Sequence, residues 1–81
     1  MYYVYIIKST TATENHFYVG YTNNLGMRLK QHNSSTSFHT KKYGPWELIF
    51  CAAFQNKIKA IEFEKYLKSS SGYAFTKKRL I

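Results

Sequence analysis

Two stretches near the start of the chain decide the fold: residues 2–8, Tyr-Tyr-Val-Tyr-Ile-Ile-Lys, and residues 16–22, His-Phe-Tyr-Val-Gly-Tyr-Thr. Both are rich in aromatic and β-branched residues, which predicts β-strands. Residues 9–15 between them are polar and rich in Ser and Thr, which predicts a loop. Two neighbouring strands joined in this way are expected to pair as an antiparallel hairpin.

The register of this hairpin follows from the loop if the loop is symmetric about its centre. Tyr5 then lies opposite Tyr18, and Tyr3 lies opposite Gly20. Glycine inside a strand marks a β-bulge or a close approach of the backbone, so Gly20 is expected to do one or the other. Strand tyrosines commonly pack at the core with the hydroxyl reaching water, and this purely structural interpretation stays open for Tyr5 and Tyr18.

Three helices and one more strand are predicted after the hairpin. In chain order they are a helix capped by Asn23 or Asn24 that runs to about Asn33, a strand over 46–54, a helix over about 57–69 capped by Asn56, and a short basic helix over 73–80. Gly72 is expected to end the preceding helix in a left-handed conformation. With 81 residues and no linker or repeat, the chain is expected to form one domain over residues 1–81.

The charge of the chain indicates a polyanionic partner. Ten Lys and two Arg oppose four Glu, and the chain has no Asp, which gives a net charge of +8. Residues 41–81 carry nine positive and three negative charges, so most of the excess lies in the second half. A small, basic and aromatic-rich domain is typical of nucleic-acid binding. For each single run of Lys or Arg, a merely solvated face remains the alternative.

Composition also excludes several classes of site and location. A two-metal nuclease centre needs several carboxylates, and four Glu without Asp do not supply them. The single Cys51 excludes an internal disulfide and a Cys-rich zinc site, and its apolar flanks predict a buried side chain. No stretch resembles a signal peptide or a membrane span. We therefore expect a cytoplasmic protein without a membrane partner.

Helical geometry singles out two polar residues on the first helix. Leu25 and Leu29 define its buried side, and at 100° per residue Arg28 and His32 lie beside that stripe, one turn apart. Both are therefore expected at the edge of the core, next to the hairpin. An Arg that covers its own helix, and a His that contacts the last carbonyls of the helix, are the alternatives.

The second helix carries a carboxylate on its apolar side. Glu64 falls within the stripe formed by Ala60, Phe63 and Leu67, whereas Glu62 points to solvent. A carboxylate in such a position needs an Arg, hydroxyl donors or a metal ion beside it. A structural salt bridge from Glu64 to Lys or Arg is the alternative.

Four motifs in order resemble the GIY-YIG nuclease superfamily, and small stand-alone bacterial GIY-YIG proteins in particular. They are Tyr3-Val4-Tyr5, Tyr18-Val19-Gly20, Leu25-x-x-Arg28-Leu29-x-x-His32 and Ala60-x-x-x-Glu64-x-x-Leu67-Lys68. The resemblance covers essentially the whole chain. It implies an α+β fold, an α/β sandwich in which helices flank a three-stranded antiparallel sheet.

The resemblance also implies the chemistry and its residues. By position, Tyr5, Tyr18, Arg28 and His32 resemble the catalytic groups, and Glu64 resembles the ligand of one Mg²⁺ or Mn²⁺ ion. The general base stays open among Tyr5, Tyr18 and His32. The nucleic acid, DNA rather than RNA, is expected to contact basic residues at six positions: Lys41, Lys42, Lys68, Lys77, Lys78 and Arg79.

The function implied is metal-dependent endonuclease hydrolysis of phosphodiester bonds in DNA or structured nucleic acid, in DNA repair or recombination. Two alternatives are a module with this fold that binds nucleic acid without cleaving it, and a subunit that recruits a larger repair enzyme. A homodimer is one way for so small a site to cut two strands. Tyr3 replaces the first glycine of the family signature, and Tyr21 stands where some members have a lysine.

Overall fold

The computed structural model describes residues 1–11, 16–34 and 44–81. Its elements in chain order are β1 (Tyr2–Ser9), β2 (Phe17–Thr22), α1 (Leu25–Asn33), β3 (Trp46–Phe54), α2 (Lys57–Leu67) and α3 (Ser70–Arg79). The predicted strands and α1 are confirmed to within a residue. Lys41 and Lys42 lie outside the described residues. No helix in the described ranges is long and apolar enough to cross a membrane.

The three strands form one antiparallel sheet in the order β2-β1-β3, with β1 at the centre. The predicted register of the hairpin is wrong by two residues, because Tyr5 pairs with Gly20 and Ile7 pairs with Tyr18. The N–H of Ser9 donates to the carbonyl of His16. Each residue of β1 therefore pairs with a β2 residue two positions later in the chain than the symmetric loop predicts. A shift of two residues leaves every side chain on its predicted face of the sheet.

Gly20 is the site of a close approach, as expected, but a side chain makes it. A Cβ built on Gly20 would overlap the hydroxyl end of Tyr5. The β1–β2 ladder is regular at this point, and the irregularity lies instead in the β1–β3 ladder between Ile6 and Ile7. Gly20 is thus needed because the ring of Tyr5 lies across it.

The helices cover both faces of the sheet, which confirms the predicted fold class. On one face Tyr5, Ile7 and Trp46 pack against leucines of α1. On the other face Val4 and Ile6 form the main core with apolar residues of α2 and α3. Alternate residues of β1 thus enter two different clusters, as the period of two along a strand requires.

The boundary between the last two helices differs from the prediction. α2 ends at Leu67, and α3 begins at Ser70, where the Ser69 side chain accepts a hydrogen bond from the N–H of Gly72. Gly72 lies inside α3 with negative φ, so it is not a left-handed terminator. A Cβ there would overlap the backbone at the end of α2, so glycine allows α3 to pack closely against α2.

Cys51 is exposed, and the prediction of a buried thiol is wrong. It lies on the edge strand β3, opposite Tyr5. Phe50 and Phe54 of β3 pack toward α2, whereas Cys51 and Ala53 alternate onto the other side and stay exposed. A continuous apolar run suggests burial of both faces, but only one face of β3 is covered here.

Candidate active site

A buried pair of aromatic residues forms the centre of the candidate site. The Tyr5 hydroxyl lies 2.6 Å from Nε2 of His32, and the two side chains belong to the central strand and to α1. Tyr5 is 1% exposed and His32 is 3% exposed. The ring of Tyr18, which is partly exposed, lies 5.1 Å from that of His32. The structure therefore brings together three of the residues predicted to be catalytic.

Hydrogen bonds at both ends of α1 hold His32 over the sheet. At the start, the Asn24 side chain caps the helix by accepting from the N–H of Met27, and the Thr22 hydroxyl accepts from the N–H of Asn24. At the end, Asn33 accepts from the backbone N–H of Trp46 and donates to its carbonyl at 3.2 Å. Asn33 thus ties the last turn of α1 to β3.

The role of Asn33 was not predicted, because a polar residue at a helix end usually faces solvent. Its only signal in the sequence is its place directly after His32. Asn33 and Trp46 are 13 positions apart in the chain, so a local sequence pattern does not show that they are hydrogen-bonded.

Arg28 lies one turn before His32 on α1 and is exposed to solvent. Its charge acts on the pKa values of both Tyr5 and His32, which places the guanidinium near the buried pair. This agrees with the predicted position beside the core. Lys30 on the same helix is also exposed.

Burial keeps both members of the central pair uncharged. Burial raises the pKa of Tyr5 well above its usual range; Arg28 opposes this shift, while Tyr18 and Glu64 add to it. Burial, and then the charge of Arg28, lower the pKa of His32. At neutral pH Tyr5 is therefore a phenol and His32 a neutral imidazole, which can accept a proton.

Glu64 lies on α2 close enough for its charge to influence Tyr5, and its side chain is 20% exposed. It forms an ion pair with Lys68 at 3.2 Å, so the predicted alternative of a salt bridge is present. Ala60 and Leu67 beside it are buried. Glu62 points to solvent, as expected, and pairs with Lys59 at 3.5 Å.

The donor set fits one hard cation with few protein ligands. No group of three or more His, Cys, Asp or Glu side chains occurs among the residues that the structure describes. A single carboxylate suits Mg²⁺ or Mn²⁺, since Mg²⁺ commonly keeps several water ligands and takes one or two carboxylates plus phosphate oxygens.

The predicted nucleic-acid contacts divide into three groups. Lys68 follows the last turn of α2 and is half exposed beside Glu64. Lys77, Lys78 and Arg79 are exposed in the last turn of α3. The third group, Lys41 and Lys42, lies outside the described residues.

Comparison with known proteins finds relatives of two kinds. A structure-specific endonuclease subunit SLX1 homolog of Drosophila mojavensis is 39% identical over 71 residues, which are 78% of this chain and 23% of the relative. A UPF0213 protein of Clostridium perfringens is 39% identical over 69 residues, 84% of this chain and 71% of the relative. The chain thus spans about a quarter of the SLX1 relative and most of the UPF0213 protein.

A solved structure and a family model complete the comparison. The solution structure of a UPF0213 protein of Bacillus halodurans superimposes with a TM-score of 0.56 at 29% identity, over 96% of this chain and 84% of that one. The model described as the GIY-YIG catalytic domain matches residues 1–78. With its sheet, its helices and the order of its motifs, this chain belongs to the GIY-YIG family.

Proposed function

We propose that this chain is a metal-dependent endonuclease that hydrolyses phosphodiester bonds in DNA or structured nucleic acid. The observation that carries the proposal is the hydrogen-bonded Tyr5–His32 pair, with Tyr18 beside it. The charges of Arg28 and Glu64 lie close enough to this pair to act on the pKa of Tyr5. The matched family model is described as a catalytic domain, and the SLX1 relatives are named endonuclease subunits. The UPF0213 names state no activity.

Two charged residues would act on the scissile phosphate, Arg28 by direct contact and Glu64 through the metal ion. Arg28 is exposed, and a guanidinium can donate two parallel hydrogen bonds to phosphate oxygens. Glu64 would hold the metal ion together with water and phosphate oxygens. When bound, such an ion stabilises the leaving oxygen and the added negative charge of the transition state. Lys68 would then leave its ion pair with Glu64 and contact a phosphate oxygen instead.

The buried pair would handle the proton of the attacking water. Tyr18 is the partly exposed aromatic residue of the three, so it is the one that substrate reaches directly. A proton that arrives at the Tyr5 oxygen can displace the hydroxyl proton onto Nε2 of His32, which leaves Tyr5 neutral. In this proposal His32 is the general base, and Tyr5 relays the proton to it.

A cleavage assay with matched variants tests the proposal. Labelled single-stranded, duplex, nicked and branched DNA and RNA are incubated with Mg²⁺, Mn²⁺ or EDTA. Arg28→Ala and Glu64→Ala should abolish metal-dependent cleavage. Lys30→Ala on α1 and Glu62→Ala on α2 remove the same charges from exposed positions and should retain it. Branched DNA is the first substrate to test because the SLX1 relatives are named structure-specific.

A nucleic-acid-binding module that does not cleave is the second candidate. The ion pair between Glu64 and Lys68 favours it, because it gives Glu64 a structural role without metal. On this alternative, wild type binds the same strands in a salt-dependent way and cuts none of them. Glu64→Ala would then bind as tightly as wild type, and that result together with absent cleavage would overturn the nuclease proposal.

A further inference from the structure

A cleft of about 350 Å³ follows the outer edge of the sheet. β2 is an edge strand, and four consecutive residues from His16 to Val19 form one wall of the cleft. Leu67 and Lys68 at the end of α2, with Tyr73 of α3, form the other wall. The volume is near the lower end of the range for small-ligand sites, about 300–1,000 Å³.

The cleft presents an aromatic surface beside one cation. The rings of Phe17 and Tyr73 are stacked, with centroids 5.6 Å apart and planes 26° apart. Tyr73 is 53% exposed, so its ring is accessible from solvent. Lys68 supplies positive charge, and no carboxylate is among the described residues that line the cleft. An aromatic platform beside a Lys is the arrangement that binds a nucleobase and its phosphate.

The cleft joins the candidate active site through two shared residues. Tyr18 lines the cleft and lies against His32. Lys68 also lines the cleft and pairs with Glu64. A phosphate bound at Lys68 would therefore lie next to the predicted metal ligand, with its base directed along β2 toward Tyr73.

We infer that this cleft binds one unpaired nucleobase of the nucleic acid, stacked on Tyr73, while the adjoining phosphate contacts Lys68. The inference rests on nucleic acid as the proposed partner but does not require cleavage. Binding of this kind makes the site selective for nucleic acid in which a base is free to leave its stack. A base that is paired and stacked in a duplex cannot enter the cleft along β2. Since every base has a π-face that can stack on Tyr73, the cleft is expected to accept any of the bases.

The test compares two single strands of equal length, an oligothymidylate and the same backbone without bases, by fluorescence anisotropy in EDTA. Wild type should bind the base-containing strand about tenfold more tightly, the effect of one stacked base. Tyr73→Leu keeps apolar bulk and should lose this preference while binding the abasic strand as wild type does. Tyr73→Phe should retain it. Tyr66→Leu is the control, because Tyr66 is an exposed aromatic residue that does not line the cleft.

Equal affinity of wild type for the two strands would overturn the inference. So would a Tyr73→Leu variant that keeps the full preference. Stacking can also be observed without any variant, since 2-aminopurine in a single strand should change in fluorescence when wild type binds, and an unchanged signal would count against the cleft. A preference for bases in EDTA, together with no cleavage of any substrate in the separate assay with Mg²⁺ or Mn²⁺, would support the cleft while overturning the nuclease proposal, so the two failures are distinguishable.

Discussion

Gly20 shows how one residue can control the geometry of the site. The ring of Tyr5 lies across this glycine, and its hydroxyl reaches His32 from there. A methyl group on Gly20 would have to displace Tyr5, and with it the hydrogen bond to His32. The role of Gly20 is therefore to leave room for a side chain rather than to supply a special backbone conformation, since no glycine among the described residues has positive φ.

Gly20→Ala should lower both stability and activity. Overpacking of a filled core costs about 1–3 kcal/mol, and the variant should lose about that much free energy of unfolding in urea denaturation. Gly26→Ala is the control, because a Cβ there would make only an ordinary contact with Asn24 Oδ1 at 4.0 Å, and alanine favours a helix. Equal stability of Gly20→Ala and wild type would mean that Tyr5 does not need its present position.

His32 should make stability depend on pH. Its pKa is lowered in the folded protein from a usual value of 6.5, so the unfolded chain binds more protons in mildly acidic solution. Stability is therefore expected to fall as pH drops below about 6.5, by at most about 1.4 kcal/mol per pH unit for one proton. Thermal unfolding across this pH range measures the slope.

His32→Gln should flatten that slope, because glutamine does not titrate and still offers an acceptor to Tyr5. His16→Gln removes a histidine outside the buried pair and should leave the slope in place. If His16→Gln flattens the curve and His32→Gln does not, the buried pair is not the origin of the pH dependence.

At the scale of elements, the placement of α1 depends on its last residue. Asn33 makes two hydrogen bonds to the backbone of Trp46, which is buried. Local sequence predicts the helix itself, through its cap and its leucines. It does not predict where the helix lies on the sheet, because that depends on a partner in another strand.

Asn33→Ala should destabilise the protein by about 1–3 kcal/mol, since it removes both hydrogen bonds between the Asn33 side chain and the backbone of Trp46. Asn33→Asp keeps the acceptor for the Trp46 N–H and should lose less. Lys30→Ala on the same helix is the control and should change stability little. Chemical denaturation monitored by Trp46 fluorescence compares the three variants. A loss in Asn33→Ala no larger than in Lys30→Ala would contradict this role.

At the scale of the whole molecule, charge and exposed aromatic residues give the surface its character. The net charge of +8 acts over the entire chain, whereas Lys77, Lys78 and Arg79 concentrate it at the end of α3. Cations in the last turn also complement the helix dipole, so their position has a structural reason as well. Binding measurements can separate the two roles.

Replacing Lys77, Lys78 and Arg79 with Gln should reduce the salt dependence of nucleic-acid binding. If all three contact phosphates of a duplex, the slope of log affinity against log salt should become shallower by about 2–3 units. Replacing Lys8, Lys30 and Lys65 removes the same charge from other positions and should change the slope less. Equal changes in the two triple variants would show that charge acts without a defined contact surface.

Local patterns predicted the types and order of the six elements, and helical geometry singled out Arg28, His32 and Glu64. Tyr5 and Tyr18 became candidates only through the resemblance to the family. Periodicity, caps and strand composition act over a few residues, so the sequence exposes them directly. The tertiary structure alone decided the β1–β2 register, the exposure of Cys51, the hydrogen bonds between Asn33 and Trp46, and the cleft along β2. Each of these depends on contacts between residues far apart in the chain, where the closure of the hairpin and the packing of α3 determine which side chains meet.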